Sequence, residues 1–236
     1  MKAYSRIKKI ANITLDVVSS LERHQVTVAD IGTDHGYLAE LLSRNEKIGK
    51  VIASDISQKC LDKVIKIKNE CGLDKIETRL GDGLQPIEST DLTVVAGVGG
   101  FEIIKMLKTQ NLTDDGKFKC KVFVLQPSQN ALELRKWLFE NEIFVERDVV
   151  FESAKRFYPT IVVDVSKNQK NEFSIFNLWL GRDNTLENLD FVKFLKDVSQ
   201  TLEFLNEIPE ERIKNDEILN EKYQLKNVID KMLKSW

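Results

Sequence analysis

Short apolar runs alternate with amphipathic stretches along the first two thirds of the chain. Runs rich in Val and Ile predict buried strands, and leucines spaced three or four residues apart in the stretches between them predict helices. The runs that predict strands occupy residues 26–31, 50–56, 76–84, 92–100 and 121–128. Because strands alternate with helices, the pattern favours an α/β fold with one parallel sheet.

Two later apolar runs differ from the first five. Residues 144–153 and 158–166 are joined by a short link that leaves no room for a helix. Two strands with so short a connection pair antiparallel. The sequence therefore predicts an antiparallel hairpin at one edge of the sheet, which is typical of class I (Rossmann-like) methyltransferase sheets and absent from most dehydrogenase sheets.

The first strand leads into a glycine turn with unusual chemistry. Gly32 ends the strand pattern, and a helix pattern begins at Leu38. The turn lacks the G-x-G-x-x-G spacing with which backbone amides bind a pyrophosphate. Instead Asp30 and Asp34 flank it, and each would repel a phosphate by about 4 kcal/mol per close charge pair at an effective dielectric near 20. S-adenosylmethionine, with a sulfonium, an ammonium and no phosphate, fits this turn better than NAD or ATP.

Acidic residues also end the next two predicted strands. Asp55 lies 25 positions after Asp30, where a carboxylate can accept the hydroxyls of a ribose. Asp82 and Gly83 close the third strand, within reach of an adenine amino group. The carboxyl ends of parallel strands meet at one edge of a sheet, so these acids are predicted to share one ligand site. The alternative is that Asp55 and Asp82 are ordinary turn or helix-cap residues.

Five segments, in this order, give the chain a family resemblance. They are ADIGTDHGYL at 29–38, the acid Asp55, GDGL at 81–84, AGVGG at 96–100 and LQPS at 125–128. Together they resemble the motifs of the bacterial tRNA adenine-N1 methyltransferases that modify adenosine 22, and the similarity covers the whole chain. The family's usual forms are DIGSDHAYLP, AGMGG and LQPN. The chain departs from them at Thr33, Gly36, Ala39, Val98 and Ser128.

The resemblance implies S-adenosylmethionine as cofactor, tRNA as partner and no metal. It also identifies two groups of site residues. Those expected to act on the target adenosine are Tyr37, Gln126 and Gly99. Those expected to bind the cofactor are Asp30, Gly32, Asp34, His35, Asp55, Ile56, Asp82, Gly83, Ala96, Gly97 and Val98.

Three of these side chains have a second interpretation. His35 either contacts the methionine carboxylate at the amino end of a helix or is an ordinary helix-start residue. Tyr37 either stacks on the target base or packs under the loop. Gln126 either contacts the Watson–Crick edge or amino group of the base or links the loop after the fifth strand. The glycines at 97 and 99 would let the backbone approach the ligand, because a Cβ would crowd it.

The implied reaction needs no general base. N1 of adenine is neutral at pH 7 and carries an in-plane lone pair, so it can attack the sulfonium methyl directly. Methyltransferases that act on exocyclic amines share a (D/N/S)PP(Y/F/W) segment after the fourth strand, where this chain has AGVGG. That difference disfavours N6 chemistry. Two other functions stay open: a small-molecule N-methyltransferase of the same fold and a noncatalytic tRNA-binding protein.

The hydrophobic spacing changes in the last quarter of the chain. Apolar residues alternate at four and three positions in two segments that are separated near Pro209. This spacing predicts a coiled-coil helical hairpin over residues 172–236, beside a methyltransferase domain of residues 1–171. The hairpin is either a tRNA-contacting arm of a monomer or a packing or dimerising element. The residues of the pattern are Phe191, Leu195, Val198, Leu202, Leu205, Ile218, Leu225, Val228 and Met232.

Charge and composition indicate where RNA could bind and where in the cell the protein is located. Residues 172–236 carry 9 Lys and Arg against 13 Asp and Glu, and residues 1–171 carry 26 against 24. RNA contact must therefore depend on local basic patches. No apolar run approaches a membrane span of about 18 residues, and the start of the chain does not resemble a signal peptide, so we predict a cytoplasmic protein. The candidate patches are Arg6, Lys8 and Lys9; Lys117, Lys119 and Lys121; and Lys155 with Arg156.

Overall fold

A computed structural model describes residues 2–112, 116–167, 169 and 174–236 of the chain. Within these residues one sheet contains the strands β1 Val26–Ile31, β2 Ile48–Asp55, β3 Ile76–Leu80, β4 Thr90–Val98, β5 Cys120–Pro127, β6 Phe144–Ser153 and β7 Arg156–Asp164. Their order is β3-β2-β1-β4-β5-β7-β6. The first five strands are parallel, and β7 runs antiparallel to both β5 and β6. The predicted parallel sheet and its antiparallel edge hairpin are confirmed.

Helices cover both faces of this sheet. They are α1 Lys2–Ser20, α2 Tyr37–Ser43, α3 Gln58–Cys71, α4 Gly100–Thr109 and α5 Ala131–Glu140. Successive strand residues face opposite sides, so Val28 packs in the core under α1, α2 and α3, and Ala29 packs in the core under α4 and α5. Among the described residues, no helix combines the length and the apolar character that a membrane span requires.

The strand order places a ligand crevice at the centre of the sheet. The chain moves outward from β1 to β2 and β3, and then returns to the other side of β1 as β4. Ligands of open α/β sheets bind at such a switch point, outside the carboxyl ends of the strands. The turns after β1, β2 and β4 therefore meet at one edge.

After the sheet, the chain forms a group of helices, 5 to 19 residues long, that packs on the edge strand. They are α6 Ile175–Leu180, α7 Leu189–Thr201, a 3-10 helix Glu203–Glu207, α8 Glu210–Asn215 and α9 Glu217–Ser235. Leu195 of α7 and Ile229 of α9 share a hydrophobic core with Val150 of β6. These helices thus have their own core, and β6 contributes to it.

The predicted coiled-coil hairpin is not confirmed. Leu202 and Leu205 lie beyond the end of α7, and the side chain of Ile218 is 65% exposed. In α9 the predicted Leu225 is buried, but Ile229 is buried in place of the predicted Val228. A coiled coil needs two helices that bury one seam against each other, whereas here α7 and α9 share their core with Val150 of β6.

A buried ion pair joins this helical group to the sheet. Arg135 of α5 donates to both carboxylate oxygens of Asp148 in β6, at 2.7 and 2.8 Å. The same guanidinium donates to the backbone carbonyls of Leu178 and Trp179 in α6, both at 3.3 Å. The carboxylate of Asp183 accepts from the Asp148 amide at 2.7 Å. The predicted boundary between residues 171 and 172 lies outside the described residues, so that division stays a prediction.

Candidate cofactor and substrate site

The glycine turn after β1 has the backbone that its sequence predicts. Gly32 and Gly36 have φ angles of +72° and +73°, in the left-handed region that favours glycine. A Cβ on Gly36 would lie 2.9 Å from the Val64 side chain, so α2 can approach α3 only with glycine at its start. Asp34 also has a positive φ of 48°, which turns its carboxylate outward to solvent.

Asp30 is a buried carboxylate at the base of this turn. Its side chain accepts a hydrogen bond from the Thr33 hydroxyl at 2.7 Å. Burial raises the pKa of Asp30 to about 6, although the Thr33 hydroxyl and the Ala39 amide both lower it. Among the described residues no lysine or arginine pairs with it, so its charge is available to a cationic ligand.

Asp55 lies at the end of β2, beside the glycine turn. One carboxylate oxygen accepts from the Asp34 amide at 3.0 Å, and the other accepts from the Ser57 amide at 2.9 Å. Both hydrogen bonds fix the orientation of the carboxylate, and each oxygen keeps a lone pair for a ligand hydroxyl. Ile56, next along the chain, is 72% exposed and offers an apolar surface at the same edge.

The other predicted contacts of the adenosine lie after β3. Asp82 is exposed, and Gly83 is buried with a φ of +55°. The backbone here is held by Gln110, whose side-chain oxygen accepts from the Leu84 amide at 2.7 Å. The structure thus brings Asp30, Asp55 and the loop of Asp82 to the same edge of the sheet, as predicted.

Aromatic side chains cover one side of the turn. The His35 and Tyr37 rings are stacked, with centroids 5.6 Å apart, and Tyr37 meets the edge of Tyr4 from α1 at 5.7 Å. Both His35 and Tyr37 are exposed. Together with Asp30, Gly32, Asp34 and Ala96, they line the depression that we name the cofactor cleft.

The end of β4 forms the wall beside this cleft. Gly97 has a φ of +80°, and a Cβ there would lie 3.1 Å from the Arg6 guanidinium. Ala96 lines the cofactor cleft, and Val98 accepts from the Ser128 amide at 2.9 Å. Gly99 precedes α4 and has room for a Cβ, whereas a Cβ on Gly100 would overlap the Asn130 carbonyl. Packing therefore explains glycine at 100, and a role for Gly99 stays a prediction.

Gln126 is fully buried at the end of β5. Its side-chain oxygen accepts from Arg6 at 2.8 Å, and its side-chain nitrogen donates to the Pro127 carbonyl at 2.7 Å. Both polar atoms of the amide therefore have partners within the protein. Each atom keeps one further acceptor or donor site, but the side chain is fully buried, so contact with a base would require the residues that cover Gln126 to move.

Arg6 is a residue of the cofactor cleft that is not among the predicted cofactor-binding residues. The sequence predicts it as part of an RNA-contacting patch with Lys8 and Lys9, whereas its guanidinium lies 5.7 Å from the Tyr158 ring centre and lines the cofactor cleft. Lys9 does not belong to a free patch either, since it pairs with Asp190 at 2.7 Å. Helical spacing offered a signal: Arg6 lies four residues before the fully buried Ile10, on the same face of α1.

Comparisons with known proteins identify the family to which the chain belongs. Within the described residues no group of three or more His, Cys, Asp and Glu side chains could hold a metal ion. The chain is 26% identical over 223 residues to the tRNA (adenine(22)-N(1))-methyltransferase of Bacillus subtilis, with 92% of each protein covered. A structure of M. capricolum TrmK in complex with S-adenosyl-homocysteine superposes with a TM-score of 0.73 and 25% identity, covering 93% of this chain and 97% of that one.

A third similarity extends over almost the whole chain. A Streptococcus agalactiae structure described as a protein of the NADB-Rossmann superfamily has a TM-score of 0.74 and 26% identity, and it covers 97% of this chain and 96% of its own. A sequence model described as TrmK, tRNA (adenine(22)-N(1))-methyltransferase, matches residues 28–235. The chain belongs to the TrmK family.

Proposed function

We propose that this protein transfers a methyl group from S-adenosylmethionine to N1 of adenosine 22 in tRNA. Family membership supports the reaction, and the acidic edge of the sheet supports the cofactor. The observation that carries the proposal is the buried, cation-free carboxylate of Asp30 beside the ordered carboxylate of Asp55. This pair fits a ligand that carries a positive charge and a ribose.

Residues in and beside the cofactor cleft bind different parts of S-adenosylmethionine. Asp30 and Asp34 attract the cationic methionine end, and His35 lies at the turn near α2, where a carboxylate would be favoured. Asp55 accepts the ribose hydroxyls, and Ile56 and Asp82 contact the adenine. When bound, S-adenosylmethionine supplies an electrophilic methyl group on a sulfonium.

For the transfer itself, the protein positions the reactants and moves no proton to start the reaction. Adenine N1 attacks with its own lone pair, so the new N–C bond forms as the S–C bond breaks, and the positive charge moves onto the adenine. The glycine at 97 lets the Arg6 guanidinium lie against the end of β4, where a Cβ would come within 3.1 Å of it. Tyr37 orients the base at the exposed side of the cleft. Such alignment contributes about 7–11 kcal/mol to catalysis.

The proposed reaction also implies a macromolecular partner, an oligomeric state and a cellular location. The partner is tRNA, which the helical group of residues 174–236 contacts as an arm, and the enzyme acts as a monomer in the cytoplasm. The net acidic charge of this group means that any such contact uses individual lysines rather than a basic face.

Nucleoside mass spectrometry tests the proposed reaction. Unmodified tRNA is incubated with the protein and methyl-labelled cofactor, and digestion should give labelled 1-methyladenosine. A matched tRNA with guanosine at position 22 should stay unlabelled. Labelled N6-methyladenosine before any alkaline treatment, or equal labelling of both tRNAs, would contradict the proposal.

A further inference from the structure

A second cleft of about 440 Å³ lies next to the cofactor cleft. It opens between the end of β4, the segment after β5 and the start of β7, and we name it the substrate cleft. None of the residues that line it is an aspartate or a glutamate. The lining residues are Arg6, Gly97, Pro127, Ser128, Gln129, Asn130, Ala131, Arg156, Phe157, Tyr158 and Pro159.

The arginines of the substrate cleft differ from most arginines of the chain. The sequence contains nine, and six of them form ion pairs with described carboxylates. Arg6, Arg156 and Arg212 pair with none of the described carboxylates, and two of these three line this one cleft. An unpaired guanidinium presents donors that fit phosphate oxygens in a bidentate manner. The six paired residues are Arg23, Arg44, Arg79, Arg135, Arg147 and Arg182.

The position of Arg6 connects the two clefts. Its guanidinium lines both of them and makes one hydrogen bond, to Gln126, so it keeps further N–H donors for a ligand. Arg156 is an exposed residue of the substrate cleft, next to the tight turn between β6 and β7. A ligand in the substrate cleft would therefore meet Arg156, and it would meet Arg6 where the two clefts adjoin.

We propose that the substrate cleft receives the target nucleotide, with Arg156 bound to its phosphate and the base directed past Gly97 towards the cofactor cleft. This inference rests on the proposed function and adds the residues that hold the nucleotide. Arg6 lines both clefts, so its substitution would disturb both. Arg156 lines the substrate cleft but not the cofactor cleft, and it is therefore the residue to test.

The turn between β6 and β7 supplies a matched control. Lys155 precedes Arg156 and is equally exposed, but it does not line the substrate cleft. Arg156→Ala should weaken tRNA binding about tenfold, because a charge-assisted hydrogen bond is lost, and should reduce the slope of log affinity against log salt by about 1. Lys155→Ala should change the affinity by less than about twofold, since it removes only a solvated charge. Both variants should bind S-adenosyl-homocysteine as the wild type does.

A small probe separates a phosphate contact from a general effect of charge. Adenosine 5′-monophosphate should displace bound tRNA from the protein at lower concentration than adenosine does, both in the wild type and in Lys155→Ala. In Arg156→Ala this advantage of the phosphate should disappear. Circular dichroism melting confirms that each variant is folded.

Failure of this inference can be told from failure of the proposed function. If the wild type forms 1-methyladenosine while Arg156→Ala keeps its tRNA affinity and its preference for the monophosphate, the substrate cleft is assigned wrongly and the reaction stands. If the wild type forms none, yet Arg156 is required for tRNA binding and for the monophosphate preference, the nucleotide cleft stands and the reaction is wrong.

Discussion

The cofactor cleft and the substrate cleft are neighbours that differ in charge. The first contains the carboxylates of Asp30 and Asp34 beside Arg6, which lines both clefts, and the second contains Arg6 and Arg156 and no acid. Unit charges 4 Å apart interact by about 4 kcal/mol at an effective dielectric near 20, so the difference is large enough to direct ligands. A sulfonium is favoured on one side of Gly97 and a phosphate on the other. The charges of the two clefts thus direct each substrate to its own cleft before specific contacts form.

The largest expected effect comes from removing Asp55, the proposed ribose acceptor beside the cofactor cleft. Asp55→Ala leaves the ligand hydroxyls and the Asp34 amide without a carboxylate partner. The loss should be about 1–3 kcal/mol of binding free energy, or about 5- to 150-fold in affinity for S-adenosyl-homocysteine measured by titration calorimetry.

The matched control for this prediction is Asp62→Ala on α3. Asp62 is exposed and accepts one hydrogen bond, from Gln58. Its loss should leave cofactor affinity unchanged. Equal losses in the two variants would show that the net charge of the surface, rather than the acid at the end of β2, determines binding.

A smaller effect is expected for the aromatic side of the cofactor cleft. Tyr37→Ala should slow single-turnover methylation about tenfold, since stacking on a base contributes about 1–3 kcal/mol. Tyr37→Phe keeps the ring and should retain most of the rate. Calorimetry with S-adenosyl-homocysteine should give the same affinity for both variants. A rate that falls equally in both would point to the hydroxyl instead of the ring.

The pH dependence of stability tests the burial of Asp30. Because its folded pKa is raised from 3.8 to about 6, its stabilising contribution is complete below pH 3.8 and is lost as the pH rises through about 6. Asparagine does not ionise, so the stability of Asp30→Asn does not decrease in this way as the pH rises. The melting temperature of the variant minus that of the wild type, both without cofactor, should therefore increase between pH 4 and pH 7.

Asp30→Asn should also weaken cofactor binding at neutral pH, because the buried charge is gone. The variant would then gain stability and lose affinity at the same pH. A melting difference that does not change with pH would show that Asp30 keeps an ordinary pKa in the folded protein.

The smallest effect is expected in the helical group on β6. Lys231 and Lys234 near the end of α9 are exposed, and no described carboxylate pairs with them. If this group contacts tRNA, changing both residues to glutamate should raise the tRNA dissociation constant a few-fold and leave cofactor affinity unaltered. Unchanged tRNA affinity at low salt would make the group a packing element.

The sequence predicted the cofactor side better than the substrate side for a physical reason. Asp30, Gly32 and Asp55 lie at strand ends whose position follows from hydrophobic periodicity, so their meeting at one edge could be predicted. Arg6 of α1 and Arg156 of β7 line one cleft although they are 150 positions apart in the sequence. Each belongs to a basic patch that the sequence predicts as a candidate RNA contact, but no local pattern shows that the two patches meet at one cleft.

The C-terminal prediction failed for a related reason. The spacing of Phe191 and Leu195 specifies an amphipathic helix, and α7 is one. It does not specify what covers the apolar face, and here β6 supplies Val150 to the core that α7 and α9 share. Heptad spacing over only two heptads fits many packing partners besides a second helix of a coiled coil.

The central claim is that the site positions a neutral ring nitrogen and needs no catalytic base. Single-turnover methylation of tRNA, with saturating cofactor and enzyme in excess, measures this directly between pH 6.5 and 9. The account predicts a rate that changes less than about threefold over this range and a product that is 1-methyladenosine throughout. A rate that falls about tenfold for each pH unit towards the acidic end of this range would contradict it, because such a slope requires a group that must lose a proton before the methyl is transferred.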